Sequence, residues 1–444
     1  MTGIETPRTI RLPADWAART YQRQAWDFVK RGGRRAVLIW HRRAGKDSLC
    51  LNFAACAAHA RIGIYWHMLP TAAQGRKVVW DGVGKDGRRF VDTAFPQAIR
   101  AGSNKTEMKI ELKNGSIWQV VGSDNYNNLI GANPVGVVFS EYALGDPAAW
   151  DYIRPILAEN DGWAIFAYTP RGRNHGHRLW RMAAANPDWY CQLLTVDDTG
   201  MIPPAAIEEE RRAGMAEELV QQEFYCSFDA SLVGSYYGPQ MAKARKEGRV
   251  GRVPHDPAKP VHTVWDIGIG DSTAIWFVQA VGRERRFIDY YENSGVGVAH
   301  YIRICQEKAQ AGDWVWGRHY GPHDLDDDEW GSGRSRRQTA KELGFRFDIV
   351  PKWSIDDGIQ AARNALPQCW FDETSCERGI DALSSYRKEY DDRLKMYRDK
   401  PLHDWSSHGA DAFRYFAVGF KEMPPAGENH VTAARTEFDV LTGV

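Results

Sequence analysis

Short apolar runs recur through residues 1–200 and are separated by longer mixed segments. The runs are Val37–Trp40, Ile62–Trp66, Ile117–Val121, Val135–Glu141 and Trp163–Tyr168. Short apolar runs are typical of buried strands, and the segments between them carry the spacing of helices. The alternation predicts an α/β fold in which residues 1–200 form a doubly wound, mostly parallel sheet.

The rest of the chain changes character several times. Residues 201–260 predict a helical segment over 203–228, followed by a linker rich in Gly, Pro and basic residues. A new α/β domain is expected over 261–420, because His262–Phe277 has the pattern of a β-hairpin, Arg286–Glu292 that of a strand and Ser407–Val418 that of a helix. Residues 421–444 show little periodicity and predict a flexible tail.

The turn after the first predicted strand contains Gly45 and Lys46 and leads into a predicted helix, Ser48–Ala58. Strand, Gly-Lys turn and helix are the parts of a phosphate-binding loop, in which the helix N-terminus faces the anion and the lysine reaches the β- and γ-phosphates. Trp40 stands at the first glycine of the common pattern and Asp47 at its hydroxyl residue. Asp47 or Ser48 can ligate Mg²⁺ as a hard oxygen donor. The ordinary alternative is a surface turn with a solvated lysine.

Two later strands end in residues that suit ATP hydrolysis. Val135–Glu141 ends in Glu141, at the place where P-loop ATPases carry an acid that holds Mg²⁺ or polarises the attacking water. Ser140 occupies the position of the usual aspartate beside it. Trp163–Tyr168 leads into Thr169, whose hydroxyl can sense the γ-phosphate. Each strand alone is also explained as an ordinary part of an α/β sheet, but their order favours an ATPase.

The second half contains scattered carboxylates that suit metal-dependent chemistry. Asp266 lies within the first strand of the predicted hairpin, where a charge is costly unless it is paired or bound to a metal. Asp271 lies in the hairpin turn, Asp324 follows Tyr320-Gly-Pro-His, and Asp411 lies in the first turn of a helix. Such acids can bind two Mg²⁺ or Mn²⁺ ions. The ions activate a water molecule and stabilise the leaving oxygen when a phosphodiester bond is cleaved. The alternatives are a turn residue for Asp271, a loop cap for Asp324 and a helix-terminus charge for Asp411.

Composition narrows the class of protein without identifying it. Lys and Arg number 57, as do Asp and Glu, so the zero net charge gives no global electrostatic case for nucleic-acid binding. Seven scattered cysteines without a C-x-x-C pair favour free thiols in a reducing cytoplasm over a zinc site. No apolar run approaches the ~20 residues of a membrane span, so no membrane partner is expected.

The chain resembles the large terminase subunit of tailed bacteriophages, the ATP-driven motor and nuclease that packages viral DNA. The resemblance extends over about residues 15–420 and is most specific at His41–Lys46, Tyr320–Asp324 and His408–Tyr415. Members of that family often carry arginine ahead of Gly-Lys and lack the first glycine. Tyr21-Gln22 is similar to the family's adenine-contacting motif, and Tyr168–Pro170 is similar to its coupling motif.

The resemblance implies an N-terminal P-loop ATPase domain of the ASCE type with a parallel sheet and a C-terminal RNase H-like nuclease domain. It implies that Lys46 and Glu141 are catalytic and that ATP and its Mg²⁺ contact Gln22, Arg42, Arg43, Ala44, Gly45, Lys46, Asp47, Ser48 and Thr169. It further implies that Asp266, Asp324 and Asp411 are the nuclease acids and, with Asp271, hold Mg²⁺ or Mn²⁺.

The partners implied in the same way are double-stranded DNA, a portal protein, a small terminase subunit and further copies of the chain. These copies would form a ring, a pentamer by resemblance, on the viral procapsid in the host cytoplasm. Two other functions stay open. A cellular helicase or translocase with a fused nuclease would separate strands, and a non-catalytic assembly protein would carry a degenerate P-loop, for which Asp47 and Ser140 are the best arguments.

Overall fold

The computed structural model describes residues 10–129, 131–228, 234–268, 272–326, 335–391 and 396–420. Asp271 and the tail predicted over residues 421–444 lie outside these ranges. The chain divides into two compact units, one formed by Met1–Gly251 with Cys376–Ala410 and the other by Arg252–Ser375 with Asp411–Val444. Within the described ranges no helix combines the length and the apolar character that a membrane crossing requires.

The strands are β1 (Arg35–Trp40), β2 (Ile64–Leu69), β3 (Arg100–Asn104), β4 (Lys109–Leu112), β5 (Ile117–Gly122), β6 (Pro134–Ser140), β7 (Trp163–Tyr168), β8 (Tyr190–Leu194), β9 (Val250–Gly251), β10 (Val261–Asp266), β11 (Ser272–Val281), β12 (Glu284–Ser294), β13 (Trp316–Gly321), β14 (Phe347–Ile349), β15 (Cys369–Asp372), β16 (Lys388–Asp391) and β17 (Met396–Pro401).

The α-helices are α1 (Arg23–Lys30), α2 (Lys46–Ala60), α3 (Ala72–Gly75), α4 (Phe90–Ala94), α5 (Ala148–Glu159), α6 (His175–Ala185), α7 (Val196–Thr199), α8 (Pro204–Arg212), α9 (Glu217–Tyr225), α10 (Gly238–Lys246), α11 (Val298–Gly312), α12 (Arg336–Glu342), α13 (Ile355–Ala365), α14 (Glu377–Ser385) and α15 (Ser407–Gly419). Short 3-10 turns at Thr20–Gln22, Tyr142–Leu144 and His323–Asp326 also carry residues of interest.

The first unit is built on a sheet whose described strands run in the order β3-β4-β5-β2-β6-β7-β1-β8. The six strands from β5 to β8 in that order are mutually parallel, and β3 and β4 form an antiparallel edge. Helices cover both faces, which explains why β6 is buried along its whole length and reads as a continuous apolar run. The mostly parallel sheet predicted from the sequence is confirmed.

Strand β7 lies between β1 and β6, so β1, β7 and β6 are neighbours that all run the same way. Their carboxyl ends meet at one edge of the sheet, the place where open α/β sheets bind ligands. Close packing holds these strands in position. A Cβ on Gly136 in β6 would lie 2.3 Å from the ring of Trp163 at the start of β7, and Phe139 stacks on Phe166 with ring centroids 4.8 Å apart.

The second sheet has its described strands in the order β14-β13-β10-β11-β12-β15-β9. Strands β10, β11 and β12 form an antiparallel meander, and β13 and then β14 add parallel to β10 on its other side. An antiparallel meander extended by two parallel strands beside its first strand is the RNase H-like sheet topology. The predicted hairpin is confirmed as β10 and β11, and its core includes Trp265, Ile275 and Phe277.

Three segments differ from the sequence-based expectation. The helix expected over 203–228 is two helices, α8 and α9, because Gly214 adopts a φ of 96° between them. The linker expected over 234–260 contains α10, whose Pro near its start and Lys and Arg in its last turn are ordinary helix signals. Residues 376–410 belong to the first unit, although the sequence grouped them with the second.

Candidate functional site

The loop between β1 and α2 has the backbone of a phosphate-binding turn. Arg43 and Gly45 adopt φ values of 70° and 80°, and α2 begins at Lys46. The first N–H groups of a helix have no partner within it, so this turn offers donors to an anion. A Cβ on Gly45 would lie 3.1 Å from Nε2 of Gln22 and 3.2 Å from Nη1 of Arg19. Glycine is therefore favoured at this position chiefly by the left-handed φ, and a larger residue would also have to displace the ends of the Gln22 and Arg19 side chains.

Lys46 is the central side chain of this site. It is only 6% exposed, and its Nζ donates to Thr169 Oγ1 at 3.0 Å and lies 3.5 Å from both the Trp40 carbonyl oxygen and Glu141 Oε1. The Thr169 hydroxyl also donates to the Trp40 carbonyl oxygen, at 3.3 Å. Lys46, Glu141 and Thr169, which were identified from three separate strand ends, thus lie together.

Glu141 follows β6 directly and adopts a left-handed backbone with φ 52° and ψ 39°. That conformation costs roughly 1 kcal/mol for a residue with a Cβ, and it is fixed by a hydrogen bond from the Glu141 N–H to the Ala167 carbonyl oxygen at 2.7 Å. The Oε2 atom is buried and accepts no hydrogen bond from the described residues. A buried carboxylate oxygen without a donor is unusual and marks Glu141 as a candidate acid or base.

Asp47 and Ser140, the two departures from the common ATPase pattern, contact each other. Ser140 Oγ donates to Asp47 Oδ1 at 2.5 Å, and His67 Nε2 lies 3.5 Å from the same oxygen. Burial raises the pKa of Asp47, but its contacts with His67, Lys46 and Ser140 outweigh that effect and bring the pKa below its ordinary value. Asp47 is therefore ionised at neutral pH. A carboxylate and a hydroxyl are hard oxygen donors that suit Mg²⁺.

Helix α9 supports the loop from the side. The Arg42 N–H donates to the Glu223 carbonyl oxygen at 2.9 Å, and the Arg42 guanidinium lies 3.7 Å from the Glu223 carboxylate. Arg171, two residues after Thr169, forms a closer ion pair with the same carboxylate. Burial raises the pKa of Glu223, yet Arg171 and Arg42 hold it below its ordinary value. The P-loop and the segment after β7 therefore share one buried acid.

Gln22 contacts the loop rather than lying apart from it. Its Nε2 donates to the carbonyl oxygens of Ala44 and Gly45 at 3.0 and 3.3 Å, and its Oε1 accepts from the Arg19 N–H at 3.1 Å. The Tyr21 hydroxyl also donates to the Ala44 carbonyl oxygen, at 2.9 Å. The adenine contact predicted for Gln22 stays a prediction, while its contact with the P-loop is direct. Ser48 lies in the first turn of α2 and Arg43 is exposed.

The second unit brings some of the predicted nuclease acids to one end of its sheet. Asp266 is the last residue of β10, and Asp324 lies in the 3-10 turn that follows the parallel strand β13. Asp411, in α15, lies 3.3 Å from Arg414. Burial, and then the charges of Asp266 and Asp411, raise the pKa of Tyr415 to about 12. Asp266 and Asp411 therefore approach the same tyrosine.

Among the described residues no group of three or more His, Cys, Asp or Glu side chains is placed to hold a metal ion. Asp324 lies 2.9 Å from His323 Nε2, and its side chain is 42% exposed. Asp271 lies outside the described residues. Asp266 and Asp411 offer carboxylate oxygens of the kind that divalent cations prefer, and the metal role of these acids stays a prediction.

Sequence reasoning missed several residues of both sites. His67 stands in the apolar strand β2, and a lone polar residue in such a run is the same signal that drew attention to Asp266. Glu223 gave no signal, because it is one of several acids in an amphipathic helix. Glu292, which the sequence places near the end of a predicted strand, was not among the candidate metal ligands, yet it shares a row with Asp266, since Ala274 of β11 pairs with both. Directly opposed residues face the same side of a sheet, so the two acids lie about 10 Å apart on one face.

Comparison with known proteins finds similarity to large terminase subunits in sequence and in fold. No family model matches the chain. The terminase large subunit of Escherichia phage T5 is 24% identical over 330 residues, which are 70% of this chain and 71% of that protein. A large terminase from a thermophilic bacteriophage aligns over 90% of this chain and 98% of its own, with 14% identity and a TM-score of 0.42. The ATPase domain of the Thermus phage P74-26 large terminase aligns over 49% of this chain and 96% of its own, with 18% identity and a TM-score of 0.41.

Proposed function

We propose that this chain, which resembles the T5 terminase large subunit in sequence, is a viral DNA-packaging motor. ATP hydrolysis in the first unit drives double-stranded DNA into a procapsid, and the second unit cuts the concatemeric genome. The observation that carries the proposal is the meeting of Lys46, Glu141 and Thr169 at the edge of a parallel sheet, beside a phosphate-binding turn.

The residues of the turn would bind and orient the nucleotide. Backbone N–H groups at the start of α2 take the phosphate oxygens, and Lys46, positioned by Thr169 and the Trp40 carbonyl, adds a point charge to the β- and γ-phosphates. Asp47, with Ser140 behind it, would hold the Mg²⁺. When bound, that ion would neutralise part of the phosphate charge. Gln22 and Tyr21 keep the turn in shape through the Ala44 carbonyl oxygen.

Glu141 would orient the attacking water and accept its proton. Its left-handed backbone turns the side chain to within 3.5 Å of Lys46, and its unbonded Oε2 has the capacity to accept a hydrogen bond from water. Thr169 contacts Lys46 directly, and Arg171, two residues later, is bound to Glu223 of α9. Loss of the γ-phosphate would therefore be transmitted from Thr169 through Arg171 to Glu223. In this way ATP hydrolysis would move helix α9.

The proposed nuclease activity is supported by the similarity to terminases and by the RNase H-like sheet. The proposed partners are supported by the similarity to terminases alone. Asp266, Asp324 and Asp411 are proposed as the cutting acids, with a divalent cation as cofactor and Asp271 as an accessory. The proposed partners are double-stranded DNA, a portal protein, a small terminase subunit and further copies of the chain in a ring on the procapsid. The site of action would be the host cytoplasm.

Substitution of the two central residues tests the motor. Lys46→Ala should abolish nucleotide binding and turnover, whereas Glu141→Gln should bind nucleotide but lower phosphate release at least about 100-fold, the usual worth of a general base. Phosphate release and nucleotide affinity are measured on the full chain with DNA present. Lys113→Ala and Glu159→Gln, at exposed positions, are the matched controls and should behave as wild type.

The same assays separate the rival functions. A non-catalytic assembly protein predicts no phosphate release from the wild-type chain under any condition, including with DNA and procapsids. A helicase predicts unwinding of a duplex with a single-stranded tail, which a packaging motor does not need. Wild-type turnover in either central variant would remove that residue from the site.

A further inference from the structure

Asp47 and Ser140 depart from the usual ATPase pattern in opposite ways, since one replaces a hydroxyl by a carboxylate and the other replaces a carboxylate by a hydroxyl. In that pattern a hydroxyl residue follows the P-loop lysine, and an aspartate precedes the glutamate at the end of a neighbouring strand. In this chain the hydroxyl position holds the carboxylate of Asp47, and the aspartate position holds the hydroxyl of Ser140. These residues are 93 positions apart in sequence and meet in one hydrogen bond of 2.5 Å.

We propose that Asp47 and Ser140 are an exchanged Mg²⁺-binding pair, in which the helix supplies the carboxylate and the strand supplies the hydroxyl. The proposal rests on the proposed function, because it requires that the turn binds a nucleotide with its metal ion. It names Asp47 as the metal ligand and gives Ser140 the task of holding that ligand in place.

The contacts of Asp47 suit this division of roles. Ser140 and His67 are only 2% and 0% exposed, and both approach the Oδ1 atom of Asp47. The Asp47 side chain itself is 33% exposed. Buried neighbours thus hold one carboxylate oxygen while part of the group stays accessible. Asp47 also lies in the first turn of α2, next to Lys46, where the helix N-terminus favours anions and a metal-bound phosphate would lie.

Exchange also explains why both departures occur together. A single change at the P-loop position would leave two carboxylates within hydrogen-bonding distance, and like charges so close oppose each other's ionisation. A single change at the strand position would leave two hydroxyls and no anionic ligand. The exchanged pair keeps one carboxylate and one hydroxyl, and Lys46 and Glu141 remain beside it. A loop that had simply lost its function would not need that balance.

A double-mutant cycle on metal-dependent binding tests the exchange. Affinity for ADP and for a non-hydrolysable ATP analogue is measured by calorimetry on the full chain, with Mg²⁺ and with EDTA. Asp47→Ser and Ser140→Asp should each reduce the gain in affinity from Mg²⁺ about 10-fold, within the coupling expected of contacting residues. The double variant, which restores the common pattern, should regain most of that gain. Asp27→Ser, at an exposed position in α1, is the matched control.

Thermal unfolding without ligand distinguishes a metal role from a structural one. If the single variants lower the unfolding midpoint but leave the Mg²⁺ gain unchanged, the hydrogen bond only stabilises the fold and the exchange is wrong. An unimproved double variant would also overturn it. Should Ser140→Asp fail to fold, Asp47→Asn should abolish the gain in affinity from Mg²⁺ and Ser140→Ala should only reduce it, because the first removes the ligand charge and the second removes the bond that holds it. Wild-type protein that binds no nucleotide would instead overturn the proposed function.

Discussion

Backbone conformation and side-chain position are tied together at Glu141. The chain leaves β6 at Ser140, and the left-handed φ of 52° at Glu141 turns it at once into a 3-10 helix. The same turn brings the carboxylate to Lys46. Non-glycine residues with such φ values concentrate at functional sites, because surrounding contacts must repay the strain. The Ala167 carbonyl, which accepts from the Glu141 N–H, is one of those contacts.

Two histidines in the second unit should make its stability depend on pH. His319 in β13 is buried against Phe345 and bonded to Thr263 Oγ1 at 2.8 Å. Burial lowers the pKa of His319 to about 4, and burial together with Arg318 does the same for His262. Below about pH 6.5 the unfolded chain binds protons that the folded unit does not, so the free energy of unfolding falls as the pH falls toward 4.

We expect His319→Gln to flatten this dependence. Each pH unit between about 6.5 and 4 should cost the wild-type unit up to about 1.4 kcal/mol through His319, and the variant should lack that part of the slope. Urea unfolding at about pH 7 and about pH 4.5, followed by tryptophan fluorescence, compares the slopes. His59→Gln, at an exposed position in the first unit, is the control. Equal slopes in wild type and His319→Gln would contradict the prediction.

Single residues were predictable where they stand at the end of an apolar run. Glu141 and Thr169 were found in this way and Lys46 from the Gly-Lys turn after β1, and they lie together because parallel strands that end together bring the following residues together. Contacts made across the fold were not predictable. The bond between Asp47 and Ser140 and the shared acid Glu223 depend on which strands and helices are neighbours, and local sequence does not encode that.

At the scale of elements, helix α14 is attached to α6 by a buried ion pair. Arg178 Nη1 and Nη2 donate to the two carboxylate oxygens of Asp381 at 2.8 and 2.5 Å, and Asp381 is fully buried. Arg378 of α14 lies 2.9 Å from Asp146, just beyond the 3-10 turn that begins after Glu141. These two ion pairs thus connect α14 to the segment that follows the candidate base and to the helix after β7, while α14 also packs against α10.

Removal of the buried acid should destabilise the first unit strongly. Asp381→Ala should lower the free energy of unfolding by about 3 kcal/mol, because the partly buried Arg178 loses its bidentate partner and keeps only its ion pair with the half-exposed Glu377. Chemical denaturation of the variant measures the loss. Asp151→Ala removes an exposed acid 4.0 Å from Arg154 and should change stability by less than about 1 kcal/mol. A loss no larger than that of Asp151→Ala would mean that the ion pair does not hold α14.

Element types were predictable to different extents for physical reasons. Buried parallel strands have a strong signal, since both faces are apolar. The break between α8 and α9 follows from Gly214, whose left-handed φ ends the helical pattern. Helix α10 was not predicted, because its largely exposed and basic sequence has the composition of a linker. The helix is stabilised by packing of its buried residues, which include Met241 and Ala244.

At the scale of the whole molecule, cutting and ATP hydrolysis should be separable by mutation. Asp266→Asn and Asp411→Asn should stop plasmid cleavage, because each removes a charge needed to hold a divalent cation. ATP hydrolysis should stay within about 2-fold of wild type, since these residues lie in the other unit. Plasmid nicking with Mg²⁺ or Mn²⁺ is measured beside phosphate release on one preparation.

Two further variants serve in the plasmid cleavage assay, one as a control and one as a test of Asp324. Asp313→Asn, an exposed position in the same unit, should cut as wild type. Asp324→Asn should also stop cleavage if Asp324 is a cutting acid, and continued cleavage would exclude it in favour of an acid such as Glu292, which shares a row with Asp266. Undiminished cleavage by both Asp266→Asn and Asp411→Asn would contradict the nuclease assignment.

The two-part α/β architecture was predictable because each half carries its own series of strands. The division of the chain between the halves was not, since residues 376–410 return to the first unit through contacts such as Arg178 with Asp381. Such contacts depend on the path of the chain in three dimensions. The arrangement of Asp266, Asp324 and Asp411 was also not predictable, because the sequence shows that carboxylates exist but not the distances between them.

Because residues 376–410 belong to the first unit, a truncated protein that contains only this unit must include them. A fragment that stops at Gly251 would carry the P-loop, Lys46 and Glu141, yet it would expose the surfaces of Asp146 and Arg178 that α14 covers. Nucleotide turnover by such a fragment would understate that of the intact chain. A minimal fragment that keeps the first unit intact needs both stretches, supplied as two polypeptides or joined by an artificial connection that bypasses Arg252–Ser375.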